Sequence, residues 1–269
     1  MDKLPKFILD LKAKLKPNHR FLFINYDTEN TSGLFDQSTQ LKYYIRIAFV
    51  LNLKLITPNT FLDPLHNNGK KMQYKFSDYY DINSITVGKV NVELIENTEV
   101  INQNEIYVMD RLTYEQLNNL TKEFNFGVDI VNFNYHEKYE EYAKQLIHKN
   151  DIQGCIHIRR GDRLKSPCFG ASGLEWDLAT RPQSVLKLLK ETDAPSNIYI
   201  MTDMKPTDPT LLEYKKITKY NFMCLYDFDD LNNIRKDNNY IAYTIELAIA
   251  KFAKYKKTKK DVIVYYKEH

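Results

Sequence analysis

From residue 154 onward, short apolar runs alternate with amphipathic stretches, and this alternation restricts the fold more than any other feature of the sequence. The runs are "GCIHI" (154–158), "NIYIMTD" (197–203), "NFMCLYD" (221–227) and "DVIVYY" (261–266). Between them lie "RPQSVLKLLKET" (181–192), "PTLLEYKKIT" (209–218) and "NNYIAYTIELAIAKFAKY" (238–255), with apolar side chains at helical spacing. Near-continuous apolar strands joined through helices are the pattern of a parallel sheet covered on both faces. Pro182 fits the first turn of its helix, where its missing N–H is no loss.

The first 60 residues repeat the theme. A short amphipathic helix (6–15) precedes an apolar strand, "RFLFINYD" (20–27). A loop, "TENTSGLFDQ" (28–37), leads to a helix over 38–53 with Ser38 as N-cap, then to a strand, "KLITP", stopped by Pro58. This is a βαβ unit. Residues 59–135 hold short β-like stretches among polar spacers, and 136–150 is again helical. The expected class is α/β, with two Rossmann-like domains, 1–150 and 151–269, and a cleft between them.

Composition narrows the function classes. The chain has 269 residues, and Lys+Arg 38 against Asp+Glu 35 gives a net charge of +3, too balanced for a nucleic-acid coat. Three cysteines (Cys155, Cys168 and Cys224), none in a CxxC or zinc spacing, argue for a reducing compartment and against a disulfide framework. The N-terminal "MDKLPKFILDLKAKLKPNHR" has no long apolar core, so neither a signal peptide nor a membrane span of roughly 18 apolar residues is expected. The expected location is cytoplasmic.

The densest chemistry follows the strand at 154–158, in His157-Ile158-Arg159-Arg160-Gly161-Asp162. Ligands of open parallel sheets sit outside the carboxyl ends of the strands. Arginine offers a permanently charged fork that matches phosphate oxygens. Gly161 permits a sharp turn or a close approach, and Asp162 can orient an arginine. The implied chemistry is capture of an anion, most simply a diphosphate; a solvated polar loop with an internal Arg–Asp pair is the plain alternative.

The motif His157-x-Arg159-Arg160-Gly161-Asp162 resembles the signature of the fucosyltransferase superfamily, comprising α1,2-, α1,6- and protein O-fucosyltransferases. Further segments are similar to the protein O-fucosyltransferases in order and spacing: "SGLFDQSTQLKYYIRIAFVLNLKLITPN", "FLDPLHNNGKKMQYKFSDYYDI", "NIYIMTD" and "DNNYIAYTIELAIAKFAKY". The resemblance implies the GT-B arrangement of two Rossmann-like domains. It also implies GDP-fucose as donor substrate, no metal or other cofactor, and an inverting transfer to a glycan or protein hydroxyl. It places Arg159 on the donor β-phosphate and His157, Arg160, Gly161 and Asp162 around the nucleotide. Gly33, Phe35 and Asp36 fall in the N-terminal loop, Asp203 at a strand end near the nucleotide, and Glu246 near guanine.

Two departures stand out. Asp36 occupies a position that is usually asparagine; a carboxylate there repels a diphosphate, and it could instead serve as base on the acceptor hydroxyl. The family's serine-containing element after the last helix is missing, and in "KKTKKDVIVYYKEH" Thr258 supplies the hydroxyl beside lysines. Two other readings therefore stay open: a transferase of the same fold with another nucleotide sugar, and a degenerate nucleotide-sugar-binding or interaction module. Asp227-x-Asp229 has the spacing of a metal-binding DxD. Cys155 reads as core, Trp176 as a loop residue that either stacks on an acceptor or covers the core edge, and the tyrosines of "YKFSDYYD" as packing.

Overall fold

The computed structural model describes residues 4–25, 34–57, 60–62, 64, 67–70, 72–96, 101–124, 130–161, 163–165 and 172–257, with the backbone alone at 35, 36, 60–62, 72, 114, 122–124 and 257. Gly33, Asp162, Thr258 and the strand expected at 261–266 lie outside the described residues, as do the side chains of Phe35 and Asp36.

The chain divides into two compact units, Met1–Glu137 and Lys138–His269. The first contains helix α1 (Lys6–Lys14), strand β1 (Phe21–Asn25), helix α2 (Leu34–Leu51), then β2 (Lys54–Ile56), β3 (Thr60–Leu62), β4 (Met72–Tyr74), β5 (Thr86–Val87), β6 (Val90–Asn91), β7 (Leu94–Ile95), β8 (Ile106–Asp110), helix α3 (Tyr114–Phe124) and β9 (Val131–Asn132). The second contains α4 (Glu137–Lys149), β10 (Gly154–Ile158), α5 (Gly173–Ala179), α6 (Pro182–Glu191), β11 (Asn197–Thr202), α7 (Pro209–Lys215), β12 (Asn221–Cys224), α8 (Asp229–Asp237), α9 (Asn239–Phe252) and β13 (Tyr255–Lys257).

Each unit is built on a four-stranded sheet whose pairings are all parallel: β7-β2-β1-β8 in the first and β12-β11-β10-β13 in the second. The two orders are the same. The first sheet strand of each unit lies inside, the next two add outward on one side, and the last crosses back to pair on the other. The reversal leaves a crevice outside the carboxyl ends of the first and last strands. In the first unit that point lies between β1 and β8, in the second between β10 and β13. The strands are apolar because both faces are covered: Leu22, Ile24, Ile156, Ile158, Ile198 and Ile200 are each at most 1% exposed. Helix α6 seats Val185, Leu188 and Leu189 on the second sheet.

Several expectations change. Helix α2 starts at Leu34, not Ser38, so Ser38 is buried in its second turn rather than standing at the N-cap. The apolar face of Leu41, Ile45 and Ala48 extends one heptad back to the buried Leu34. The run at 221–227 is strand to Cys224 and then a 3₁₀ turn. Helix α9 ends at Phe252 rather than at 255, and the strand beside β10 is 255–257, which begins at the last residue of the expected helix. In the first unit the rings of "YKFSDYYD" pack on one another: Phe76 stacks on Tyr80 at 4.5 Å and meets Phe133 edge-on at 5.0 Å. Tyr74, Tyr79 and Tyr80 are buried. Among the described residues no helix is long and apolar enough to cross a membrane.

Ile156 sits in β10 between β11 and β13 and is 1% exposed. Ile156→Ala should lower unfolding stability by about 2–5 kcal/mol. In urea this should appear as a reduced midpoint at unchanged slope; an unchanged midpoint would contradict the packing.

Candidate anion site at the carboxyl end of β10

The pleat of β10 decides what each residue of the motif does. Side chains alternate along a strand, so Ile156 and Ile158 point toward the helical core containing Trp176, Val185 and Leu188. Cys155 and His157 point the other way. The alternation persists past the strand end. Arg160 follows the isoleucines into the core, and the half-buried His157 shares its side of the sheet with Arg159.

Arg160 is 6% exposed. One guanidinium nitrogen donates to the Thr180 hydroxyl at 2.7 Å and to the Asp177 carbonyl at 3.1 Å, and the other pairs with the Asp177 carboxylate. Arg181 holds the second oxygen of Asp177 at 2.6 Å. Burial pushes the Asp177 carboxyl up, but hydrogen bonds and charge from Arg181 and Arg160 outweigh this and bring it below the usual range. A buried arginine needs such a partner set, since an uncompensated buried charge costs several kcal/mol. Arg160 is therefore an anchor that ties the loop to α5.

The peptide unit between Arg159 and Arg160 is held at both ends. Its carbonyl accepts the Trp176 indole N–H at 2.6 Å, and its N–H donates to Asp203 Oδ1 at 2.7 Å. Trp176 is fully buried. Asp203 follows β11, the strand next to β10. Gly161 leaves room for the same carboxylate: a Cβ there would lie 2.8 Å from Asp203 Oδ2, so a larger residue would make the Asp203 side chain shift. The demand is for space beside Asp203 rather than for a left-handed backbone, since the positive-φ glycines described are Gly69 and Gly88. A second close approach, of Gly173 to the Leu164 carbonyl, brings the start of α5 against the loop.

With its backbone fixed, Arg159 is the motif arginine that remains accessible, its side chain 25% exposed. Its Nε lies 3.8 Å from Asp203 Oδ2, whose side chain is 33% exposed. A long, partly solvated pair of this kind contributes about 0–1 kcal/mol. Asp203 can thus hold Arg159 in place yet release it to a ligand of higher charge. The site is a guanidinium at the edge of a parallel sheet, beside the switch point of the second unit, suited to phosphate oxygens.

Glu246 is far from a solvated helix face. It is 5% exposed on α9 and accepts the Tyr199 hydroxyl at 2.8 Å. Burial raises its pKa to about 8, against the lowering influence of the Tyr199 hydrogen bond and Arg235. Burial also pushes the neighbouring Cys155 thiol up, with Glu246 adding to it, which leaves Cys155 an inert core residue. Asp227 accepts the Cys224 backbone N–H at 2.6 Å and pairs with Lys215, while Asp229 opens α8. Among the described residues no cluster of His, Cys, Asp or Glu could hold a metal ion.

Trp176 is where the sequence reading misses most. It lies in helix α5, not in a loop, and its ring is core, not a stacking surface. The helix start carried a readable signature: Ser172 and Glu175 form a reciprocal capping box. Asp177, in the last turn of α5, and Thr180, its C-cap, hold Arg160 and have no sequence pattern of their own.

No protein-family profile matches the chain, and no curated protein matches it. Solved structures do. The crystal structure of POFUT1 in complex with GDP matches with a TM-score of 0.57 at 12% identity, covering 94% of this chain and 96% of that one. A crystal form of POFUT1 in complex with GDP-fucose matches with a TM-score of 0.56 at 12% identity, with the same coverage, 94% and 96%. At this identity the likeness establishes the fold: an α/β chain of the architecture that the sequence resemblance implied.

Trp176→Phe keeps an aromatic ring in the core, removes the N–H that holds the Arg159 carbonyl and leaves a cavity where the rest of the indole lay. It should cost at least about 1–3 kcal/mol, the penalty of a buried acceptor left unsatisfied, with the cavity adding to it, measured by chemical denaturation; no loss would mean the carbonyl is held otherwise. A second expectation concerns pH. Glu246 keeps its proton when folded up to about pH 8, whereas an unfolded glutamate releases it near pH 4.3. Between those values the unfolded state binds fewer protons, so this group makes stability fall as pH rises through the window and adds no further change above it. Comparing unfolding free energies from pH 4 to 9, Glu246→Gln should flatten that fall relative to wild type; parallel curves would contradict it.

Proposed function

We propose that this chain is a fucosyltransferase-like glycosyltransferase that binds GDP-fucose mainly through its second unit and transfers fucose to a hydroxyl with inversion. One observation carries the reading: the Arg159–Arg160 peptide clamped between Trp176 and Asp203, which aims Arg159 at the carboxyl edge of the sheet. The motif resemblance and the fold shared with POFUT1 in complex with GDP-fucose support it.

In this reading the acceptor oxygen bonds to the anomeric carbon of fucose while the bond from that carbon to the β-phosphate oxygen breaks. GDP departs with the electron pair, and Arg159 stabilises the charge growing on its diphosphate. Preorganised cationic groups aimed at developing charge are a large contribution to catalysis of this type. Asp36 takes the acceptor proton. His157 lines the nucleotide site, and Gly33, Phe35, Asp162 and Thr258 contribute to donor binding, while Glu246, buried against Tyr199, acts from within the fold rather than by touching the donor. Arg160, Gly161 and Asp203 act by holding the loop. No metal takes part, and the acceptor is a glycan or a protein.

A ligand that binds the folded state alone raises its stability by about 2.7 kcal/mol at a hundredfold excess over Kd. Thermal shift with GDP, GDP-fucose, UDP and ADP should therefore show stabilisation by the guanosine ligands, abolished in Arg159→Ala. Stabilisation by UDP instead would reassign the donor, and no shift with any nucleotide would leave an interaction module. If GDP-fucose is turned over, Asp36→Asn should lower kcat by about 10²–10⁴-fold; unchanged turnover would remove Asp36 from the mechanism.

A further inference from the structure

The two four-stranded sheets treat their edges differently. A strand at a sheet edge presents N–H and C=O groups that another chain can pair with, and folded chains usually shorten such strands, charge them or cover them. β7, at one edge of the first sheet, has only two residues. β13, at one edge of the second, carries Lys256 and Lys257 in three residues. β12, at the other edge of the second, has outward groups taken by side chains. Its Phe222 carbonyl accepts from Lys215 Nζ at 2.7 Å, and its Cys224 N–H donates to Asp227 at 2.6 Å.

β8 has none of these devices. It runs over five residues, Ile106–Asp110, contains no lysine, arginine or proline, and ends the first sheet with β1 on one side of it. The Arg111 N–H donates to the Asn25 carbonyl of β1 at 3.3 Å. By alternation Tyr107 and Met109 also turn their backbone groups to β1, whereas Ile106, Val108 and Asp110 turn theirs outward. The Ile106 N–H is used within its own turn, in a bond to the Gln103 carbonyl. Among the described residues no hydrogen bond engages the Val108 N–H or carbonyl, the Asp110 N–H or the Ile106 carbonyl. Val108, at the middle of this edge, is 56% exposed.

The geometry points to a second copy of this chain as the partner of β8, paired antiparallel about a two-fold axis at Val108. Val108 then exchanges both backbone bonds with its counterpart, and each Asp110 N–H reaches the other copy's Ile106 carbonyl. The two exposed valines become a cross-strand pair of β-branched side chains. Charge selects the direction. Parallel pairing would set the two Asp110 carboxylates opposite each other, which is destabilising. Antiparallel pairing separates them and carries each to the amino end of the other strand, on the side of Arg20, whose side chain is 72% exposed. A two-fold contact also closes: the joined sheet ends in the two-residue β7 on both sides, so association stops at the dimer. One pair of short strands is a small interface, which implies a Kd on the order of 10–100 μM. The inference stands on the first unit alone and does not depend on what the second unit binds.

Sedimentation equilibrium on the full chain from about 5 to 500 μM brackets that Kd and should show a monomer–dimer equilibrium. Val108→Lys charges the edge and leaves every backbone group in place; it should raise Kd on the order of tenfold or more. The urea midpoint measured below the Kd and the response to GDP should stay as in wild type. Val108→Cys, a milder change that serves if Val108→Lys does not fold, tests the register. Facing Cα atoms of a hydrogen-bonded antiparallel pair lie about 5.5 Å apart, within reach of a disulfide, so mild oxidation should link the dimer through position 108. Val90→Cys, at an exposed valine of the same unit, should cross-link no more than wild type. A monomer throughout the concentration range, a dimer that Val108→Lys leaves equally tight, or cross-linking no greater at 108 than at 90 would overturn the proposal.

Discussion

The second unit depends at its functional edge on a single peptide plane. Between Arg159 and Arg160 the carbonyl is held by a buried indole and the N–H by a carboxylate from the neighbouring strand. The bond from the indole is worth about a kilocalorie and the one to the carboxylate about 1.5–3 kcal/mol. Together they remove the rotations by which a loop after a strand would wander, because one bond faces the helices and the other faces β11. The elements around them are arranged to permit this. Gly161 leaves room for Asp203, Gly173 lets α5 approach the loop, and the capping box of Ser172 and Glu175 fixes where that helix starts.

The two arginines show how burial separates functions in identical side chains. Arg160 is committed: its guanidinium meets a carboxylate, a hydroxyl and a carbonyl, and Asp177 is itself held by Arg181. Arg159 meets Asp203 over a longer distance with solvent nearby. The first arrangement is expensive to disturb and therefore rigid. The second is cheap to rearrange and therefore responsive. An anion site that can release its ligand again benefits from having both, one behind the other.

Much of this was legible in the sequence, and the reason is the period. Strands buried on both faces announce themselves as apolar runs: "GCIHI" is strand throughout, "NIYIMTD" up to Thr202 and "NFMCLYD" up to Cys224. The α/β class and the position of the motif at a strand end followed from those runs. What escaped had competing determinants. β13, at "YKK", is strand because it completes a sheet beside β10, against its own composition. Ser38 looks like an N-cap by residue type, but Leu34 buries its side chain and draws the helix back a turn. The role of Trp176 required knowing which carbonyl came within reach of its ring, and that is set by tertiary packing alone. Asp203 stood out as a strand-end acid, yet its contacts with the backbone of Arg160 and with Gly161 appear only when β10 and β11 are paired.

The pleat of β10 also makes the motif a matter of parity. Arg159 and Arg160 differ in fate only because one has an odd and the other an even place along the strand. Inserting or deleting one residue between Gly154 and Ile158 would exchange them, sending the anchoring guanidinium outward and the accessible one into the core. Two such changes would restore the order but misplace the peptide relative to Trp176 and Asp203. This short segment should therefore tolerate conservative changes of side chain far better than any change of length, and among relatives of this fold its residue count should vary less than its residue identities.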